Sequence, residues 1–420
     1  MAELTDLLDA LAARPAPPHG LRADDLFTLG RRRRRRRRAG AVTGAALAVV
    51  VVLALVLAGA ARWRPSGGTP VVGASSVAAP RAGAALSWAA VVDAAHAYAT
   101  VPVCDPGERT CSARESILRG TDDGGRTWTD RGVVSARQVL TALGRDTLLA
   151  GDGEAPMRLS TDGGRHWADL PDGSAPVSAV PAGGAVVCRT PDMRQSCKLS
   201  AVDPQSRRIA PLTHQPDLIM ATAYNVVDPA GQIQLAGDRI MVAGADRRTG
   251  RPAVAVSGDR GRTWSTHVFT DLPCPEPQDC GRDLPVVSVQ ARADGTTGFA
   301  VVVDTKERRA YVYFLLAGDG WARAGAAIGL DPSESFYRSF VTADNTHLMG
   351  LQSVPWDAPP RLRYVGLRAG AYEPVALDGL PATAMPVRRS VGGVFSAFDQ
   401  PSGVLFQSAD GRHFSPFPLG

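Results

Sequence analysis

The chain has 420 residues, 45% of them hydrophobic and 21% charged, which excludes a chain too polar to fold and allows two or three ordinary domains or one large repeat architecture. Its formal charge of +5 is uneven: residues 1–64 hold 12 Arg against 5 Asp/Glu, and the rest holds 34 Lys/Arg against 36 Asp/Glu. The large remainder is close to neutral, which argues against a nucleic-acid surface.

Taken in order, the chain opens on a predicted cytoplasmic tail, residues 1–38. Leu4, Leu7, Leu8 and Leu11 fall on one side of a short helix that Pro15, Pro17 and Pro18 stop. The tail ends in eight consecutive arginines, Arg31 to Arg38, and residues 39–61 carry no charge. That apolar stretch, at about 1.5 Å per residue, reaches roughly 34 Å and would cross a bilayer core of roughly 30 Å. The spacing predicts one transmembrane helix over 39–61, with the arginines held inside by the positive-inside rule. A signal peptide cleaved near Ala58-Gly59-Ala60 is the rival reading, and the length of the apolar stretch and of the segment before it favours an uncleaved anchor. The expected place is the plasma membrane, crossed once, with the C-terminal domain outside. Residues 62–83, rich in Pro, Gly, Ser and Ala, read as a flexible linker.

Six cysteines fall into three close pairs: Cys104 and Cys111, Cys188 and Cys197, Cys274 and Cys280. No His lies at zinc-finger spacing from any pair and no Cys-x-x-Cys occurs, so local disulfides are predicted. Such bridges persist in an oxidising compartment, in agreement with the predicted topology.

Residues 84–420 read as short strands between Gly, Asp and Pro turns. Three stretches of eight residues, Thr121 to Trp128, Ser160 to Trp167 and Ser257 to Trp264, share one pattern, and Ser408 to Phe414 repeats it in seven. Each begins with a hydroxyl (Thr121, Ser160, Ser257, Ser408) two residues before an Asp (Asp123, Asp162, Asp259, Asp410). A Gly follows (Gly125, Gly164, Gly261, Gly411), then an aromatic (Trp128, Trp167, Trp264, Phe414). The Asp can accept the turn's own N–H groups, the Gly supplies a left-handed residue, and the aromatic starts the returning strand. This pattern resembles the Asp-box, or BNR, repeat of sialidase-like β-propellers, in which the box fixes a turn and does not touch substrate. The aromatics are 39, 97 and 150 residues apart, so unmarked repeats must lie between. Ser200-Ala201-Val202-Asp203, Ala317-Gly318-Asp319-Gly320-Trp321 and Arg368-Ala369-Gly370-Ala371-Tyr372 stand where they fall due. The predicted fold is all-β, a β-propeller of seven four-stranded blades over 84–420, with six or eight blades or a sandwich of the same strands as the alternatives.

The resemblance implies a glycosidase to be tested residue by residue. The Phe/Tyr-Arg-Ile-Pro of sialidases is absent; the nearest text is Phe336-Tyr337-Arg338-Ser339. Glu334, Tyr337 and Arg338 are the one place where the family's catalytic residue types crowd together, and they are the candidate catalytic set. There is no Gly-x-Ser-x-Gly elbow, neither lysine (Lys198, Lys306) follows a Gly as a phosphate-binding loop requires, and seven scattered histidines lack metal-ligand spacing. His166 and His413 hold positions of the repeated pattern where Thr stands elsewhere, which reads as a turn role. No cofactor or metal is expected. The expected function is a membrane-anchored, extracytoplasmic propeller that binds or scaffolds a glycan or protein, not nucleic acid. The alternative is an exo-α-sialidase-like glycoside hydrolase with a divergent site.

Overall fold

The middle strands of the C-terminal region are apolar on both sides. Gly298–Asp304 and Pro252–Ser257 bury every residue. Such a strand cannot face water on either side, so its sheet must be covered twice. The computed structural model describes residues 88–103, 115–136, 138–151, 156–171, 175–189, 197–220, 231–272, 285–292, 294–316, 320–353 and 360–418. They form seven antiparallel sheets that follow one another along the chain, spanning 88–135, 139–169, 185–211, 218–268, 286–329, 334–375 and 388–417. Among the described residues every regular element is a strand.

Each sheet is covered twice because it stands between two neighbours. Seven buried apolar clusters fill the seven junctions. One, for example, packs Met241, Ala243 and Val254 of the fourth sheet on Val289, Ala300 and Val302 of the fifth. The last closes the circle, with Phe398, Leu405 and Phe417 of the seventh sheet on Val91, Ala97 and Ala99 of the first. Fully burying a Phe or Leu side chain contributes about 1.5–3 kcal/mol, so each layer is a substantial adhesive. Inner strands meet around the axis: Ile233–Ala236 touches Val286–Ala291, which touches Glu334–Val341. The fold is a seven-bladed β-propeller.

The blades are not uniformly four-stranded as expected. Among the described residues the third has three strands, Ala185–Arg189, Lys198–Asp203 and Arg208–Pro211. Pro176 and Pro181 bracket the segment that would have made its inner strand, and proline cannot donate to a ladder. Val177 instead forms an isolated parallel bridge with Leu212. The fourth and fifth sheets each carry a fifth, two-residue strand, Leu218–Ile219 and Ile328–Gly329.

The Cys188–Cys197 disulfide ties the two strands that flank residues 190–197, with Cα atoms 5.4 Å apart. Cys104, Cys111, Cys274 and Cys280 lie outside the described residues, as do the predicted tail 1–38, span 39–61 and linker 62–83. Among the described residues no helix is long and apolar enough to cross a membrane.

Candidate functional site

The four recurrent turns join the third and fourth strands of blades one, two, four and seven, and their hydrogen bonds superimpose. The hydroxyl donates to the Asp Oδ1 at 2.8–2.9 Å: Thr121 to Asp123, Ser160 to Asp162, Ser257 to Asp259, Ser408 to Asp410. The N–H of Gly125, Gly164, Gly261 or Gly411 donates back to that hydroxyl at 2.7–2.9 Å. The N–H before the aromatic donates to the same Oδ1 at 2.9 Å, from Thr127, His166, Thr263 and His413. Thr127 and Thr263 then give their hydroxyls to Oδ2 at 2.7 Å, and His166 and His413 set Nδ1 there at 2.6 Å. A carboxylate only accepts, so Nδ1 carries the proton in both histidines. The Thr263 N–H, with the other donors, holds Asp259 down at about 2, and the Thr127 N–H does the same for Asp123. These carboxylates are engaged by their own turns through both oxygens, and they build the hairpin.

The aromatics reach further. Trp264 Nε1 donates to His214 O, in the chain leaving blade three, and Trp128 Nε1 to Pro418 O, in the chain leaving blade seven. Trp167 Nε1 bonds Gly164 O within its own turn. Phe414 has no polar handle and is buried between blades six and seven. Of the three unmarked repeats, residues 204–207 and 369–370 make the same third-to-fourth-strand reversal, and Trp321 opens the returning strand of blade five.

The candidate catalytic residues all lie on Glu334–Val341, the inner strand of blade six. Glu334 opens that strand and is buried. Arg363, two strands away, grips it as a fork, Nε to Oε1 and Nη2 to Oε2 at 2.7 Å. Arg308, from blade five, donates Nη2 to Glu334 O at 2.5 Å and to Asp331 O. The Arg363 fork holds the Glu334 carboxyl below its ordinary range and raises Arg363 in turn. Tyr337 is the extra residue of a β-bulge between Phe336 and Arg338 and is 37% exposed, while Arg338 is half-buried opposite Gly350. Glu334 is thus brought to Arg363 and Arg308, not to the Tyr337 hydroxyl. An arginine-locked carboxylate is a poor proton acceptor for a phenol.

On the opposite side of blade six a cleft of about 220 Å³ opens toward blade seven. Its lining is Gln352, Pro360, Leu362, Thr383, Ala384, Met385, Pro386, Gln400 and Pro401. Three prolines, a leucine and a methionine give an apolar floor, and two amides and a hydroxyl supply polar contacts. The cleft sits at the end of the sheets opposite the recurrent turns, beside the hairpins Ser353↔Arg361 and Asp399↔Val404. Sequence reasoning did not single out these residues, and their only signal was proline density. It placed the reversal after Asp203 but missed that the same turn recurs elsewhere. Asp203, Asp246, Asp304 and Asp399 each end a strand and accept from N–H groups two or three residues on. Four residues after each Asp stands a left-handed one: Arg207, Gly250, Arg308 or Gly403. Among the described residues no cluster of His, Cys, Asp and Glu could hold a metal ion.

No protein-family model matches the sequence, and no curated protein does. Solved structures match by shape. The β-propeller domain of the Trilobed protease from Pyrococcus furiosus aligns with 80% of this chain and 95% of its own, at 9% identity and a TM-score of 0.46. An ancestral GH74 enzyme aligns with 80% of this chain and 46% of its own, at 10% identity and 0.46. The tricorn protease does so with 79% and 34%, at 10% and 0.46. Likenesses of this size reach no further than the fold, which the seven sheets and seven junctions establish by themselves.

Proposed function

We propose that this chain is a membrane-anchored, extracytoplasmic propeller of the Asp-box type that binds or scaffolds a partner without catalysis. The observation that carries the binding role is the cleft between blades six and seven. Its proline-edged, apolar lining suits an extended peptide better than a sugar, whose hydroxyls would need more polar partners. The identical hydrogen-bond plan of four turns supports the Asp-box assignment. The Cys188–Cys197 bridge supports an oxidising compartment, and the arginine run before an uncharged stretch supports a single span with the propeller outside. The sialidase alternative would need Glu334 free to act as a base, and its fork with Arg363 opposes that role.

The test uses the full chain in detergent against a displayed random-peptide library, a glycan array and a fluorogenic α-sialoside. Selected peptides should lose at least tenfold in affinity to Met385→Arg, a substitution at a 37%-exposed position, with the melting temperature unchanged. Binding confined to glycans and insensitive to Met385→Arg would defeat the cleft as the site. Sialoside turnover that disappears in Glu334→Gln, with melting unchanged, would replace the binding reading by the enzymatic one.

A further inference from the structure

The chain crosses six of the seven blade junctions and leaves the seventh uncrossed. The first blade is built from 88–135 alone and the seventh from 388–417 alone, so neither end of the described chain lends a strand to the other's sheet. Among the described residues, what holds this junction is non-covalent throughout. On the inner side Ser390 Oγ donates to Val92 O at 2.7 Å, and Gly392 lies so close that a Cβ there would meet the same carbonyl at 2.3 Å. On the outer side Trp128 Nε1 donates to Pro418 O at 3.2 Å and its ring meets Phe417 edge-on, centroids 6.4 Å apart. A Cβ on Gly125 would strike Pro418 O at 2.1 Å, so Pro418 is seated directly on the turn of blade one. Between the two sides lies the layer of Val91, Ala97, Ala99, Phe398, Leu405 and Phe417.

We propose that the propeller opens as a unit at this junction, with Ser415–Phe417 and Pro418 as a latch on the Trp128 turn. Among the described residues, parting the first and seventh blades breaks the contacts of Ser390, Gly392, Trp128, Phe417 and Pro418 and the apolar layer between them, and leaves all seven sheets whole. Parting blades three and four must also strip the described connecting chain from its seat. There Gln215 bonds the backbone of Leu199 and Leu212, and Trp264 bonds His214 O. Local openings of a fold span free energies from near zero up to the global value, and the junction with fewest constraints lies lowest.

The experiment is thiol labelling of the full chain carrying one buried reporter, Ala99→Cys at the uncrossed junction or Ala255→Cys between blades three and four. Both alanines are almost fully buried, at 2% and 0% exposure. The thiol at 99 should label at least tenfold faster than that at 255. Trp128→Ala should accelerate labelling at 99 a further tenfold and leave 255 unchanged. Trp264→Ala is the matched control, since it removes the same indole-to-carbonyl bond where the chain does cross, and should affect 255 far less. Equal labelling at the two reporters, or equal acceleration by the two tryptophan variants, overturns the proposal. Should Ala99→Cys not fold, Ala97→Cys reports on the same layer, and Ser390→Ala replaces Trp128→Ala as the milder lesion under the same criteria.

Discussion

Blades four and six solve the same problem differently. Each must turn its third strand back into a fourth. Blade four uses eight residues, Ser257 to Trp264, with Asp259 collecting the turn's donors and Trp264 reaching to His214 O of blade three. Blade six uses two, Ala369 and Gly370, with φ of 45° and 83° between Arg368 and Ala371. This is the left-handed pair that suits the twist of a tight hairpin. Its following aromatic, Tyr372, meets His347 Nδ1 of the same blade at 2.7 Å and, among the described residues, makes no hydrogen bond to the neighbouring blade, although its ring packs on the apolar layer between blades five and six. The reversal needs only two residues, and what the longer turn of blade four adds is a hydrogen bond from its indole to the chain leaving blade three.

That comparison can be broken most sharply at its glycines. Gly261 has φ of 94°, and a Cβ there would sit 2.9 Å from Leu212 Cδ1 of blade three, whereas a Cβ on Gly370 would meet nothing within 4 Å. Gly261→Ala should therefore cost about 2–3 kcal/mol, from backbone strain and crowding, and Gly370→Ala about 1 kcal/mol from strain alone. Chemical denaturation of the two variants measures both, and equal losses would remove the inter-blade role from the turn. Asp259→Ala comes next. It orphans the Thr263 N–H and two hydroxyls in a half-exposed turn, for an expected loss of about 1–2 kcal/mol by the same measurement.

Acid sharpens the contrast further. Asp259 and Asp123 are held at about 2 in the fold against an ordinary 3.8, so their contribution is complete above pH 4 and is lost as pH falls from about 4 to about 2. The melting temperature should be flat from pH 7 to 5 and drop steeply below 4. Asp259→Asn should make that drop shallower, and a drop of unchanged steepness would show that the turn carboxylates do not govern it. The smallest effect is a gain. Ala369→Gly relieves a left-handed alanine and should stabilise by about 0.5 kcal/mol, read as a slightly higher melting temperature.

Much of this architecture could be read in advance because the turns carry their own chemistry. Ser257, Asp259, Gly261 and Trp264 announce a hairpin within eight residues, and spacing then located the quieter reversals at 204–207 and 369–370. The inner strand that blade three lacks among the described residues was equally local, since Pro176 and Pro181 stand in the segment, yet a repeat length alone implied four strands everywhere. The site was less legible. Glu334, Tyr337 and Arg338 are neighbours in sequence, but what Glu334 does is decided by Arg363, 29 residues on, through strand register. The bulge that sets Tyr337 apart likewise has no signature in the letters. The cleft combines residues from two blades and exists only once they pack.

The indoles of Trp128 and Trp264 take their hydrogen bonds from main-chain oxygens, those of Pro418 and His214. Every residue type carries that oxygen, so the hydrogen-bonded part of the grip asks nothing of its neighbour's side chains. A lineage of such repeats can therefore be duplicated, shuffled and allowed to drift in sequence while each copy still recognises the next. Divergence is tolerated at the joint itself, and selection is left to act on the loops.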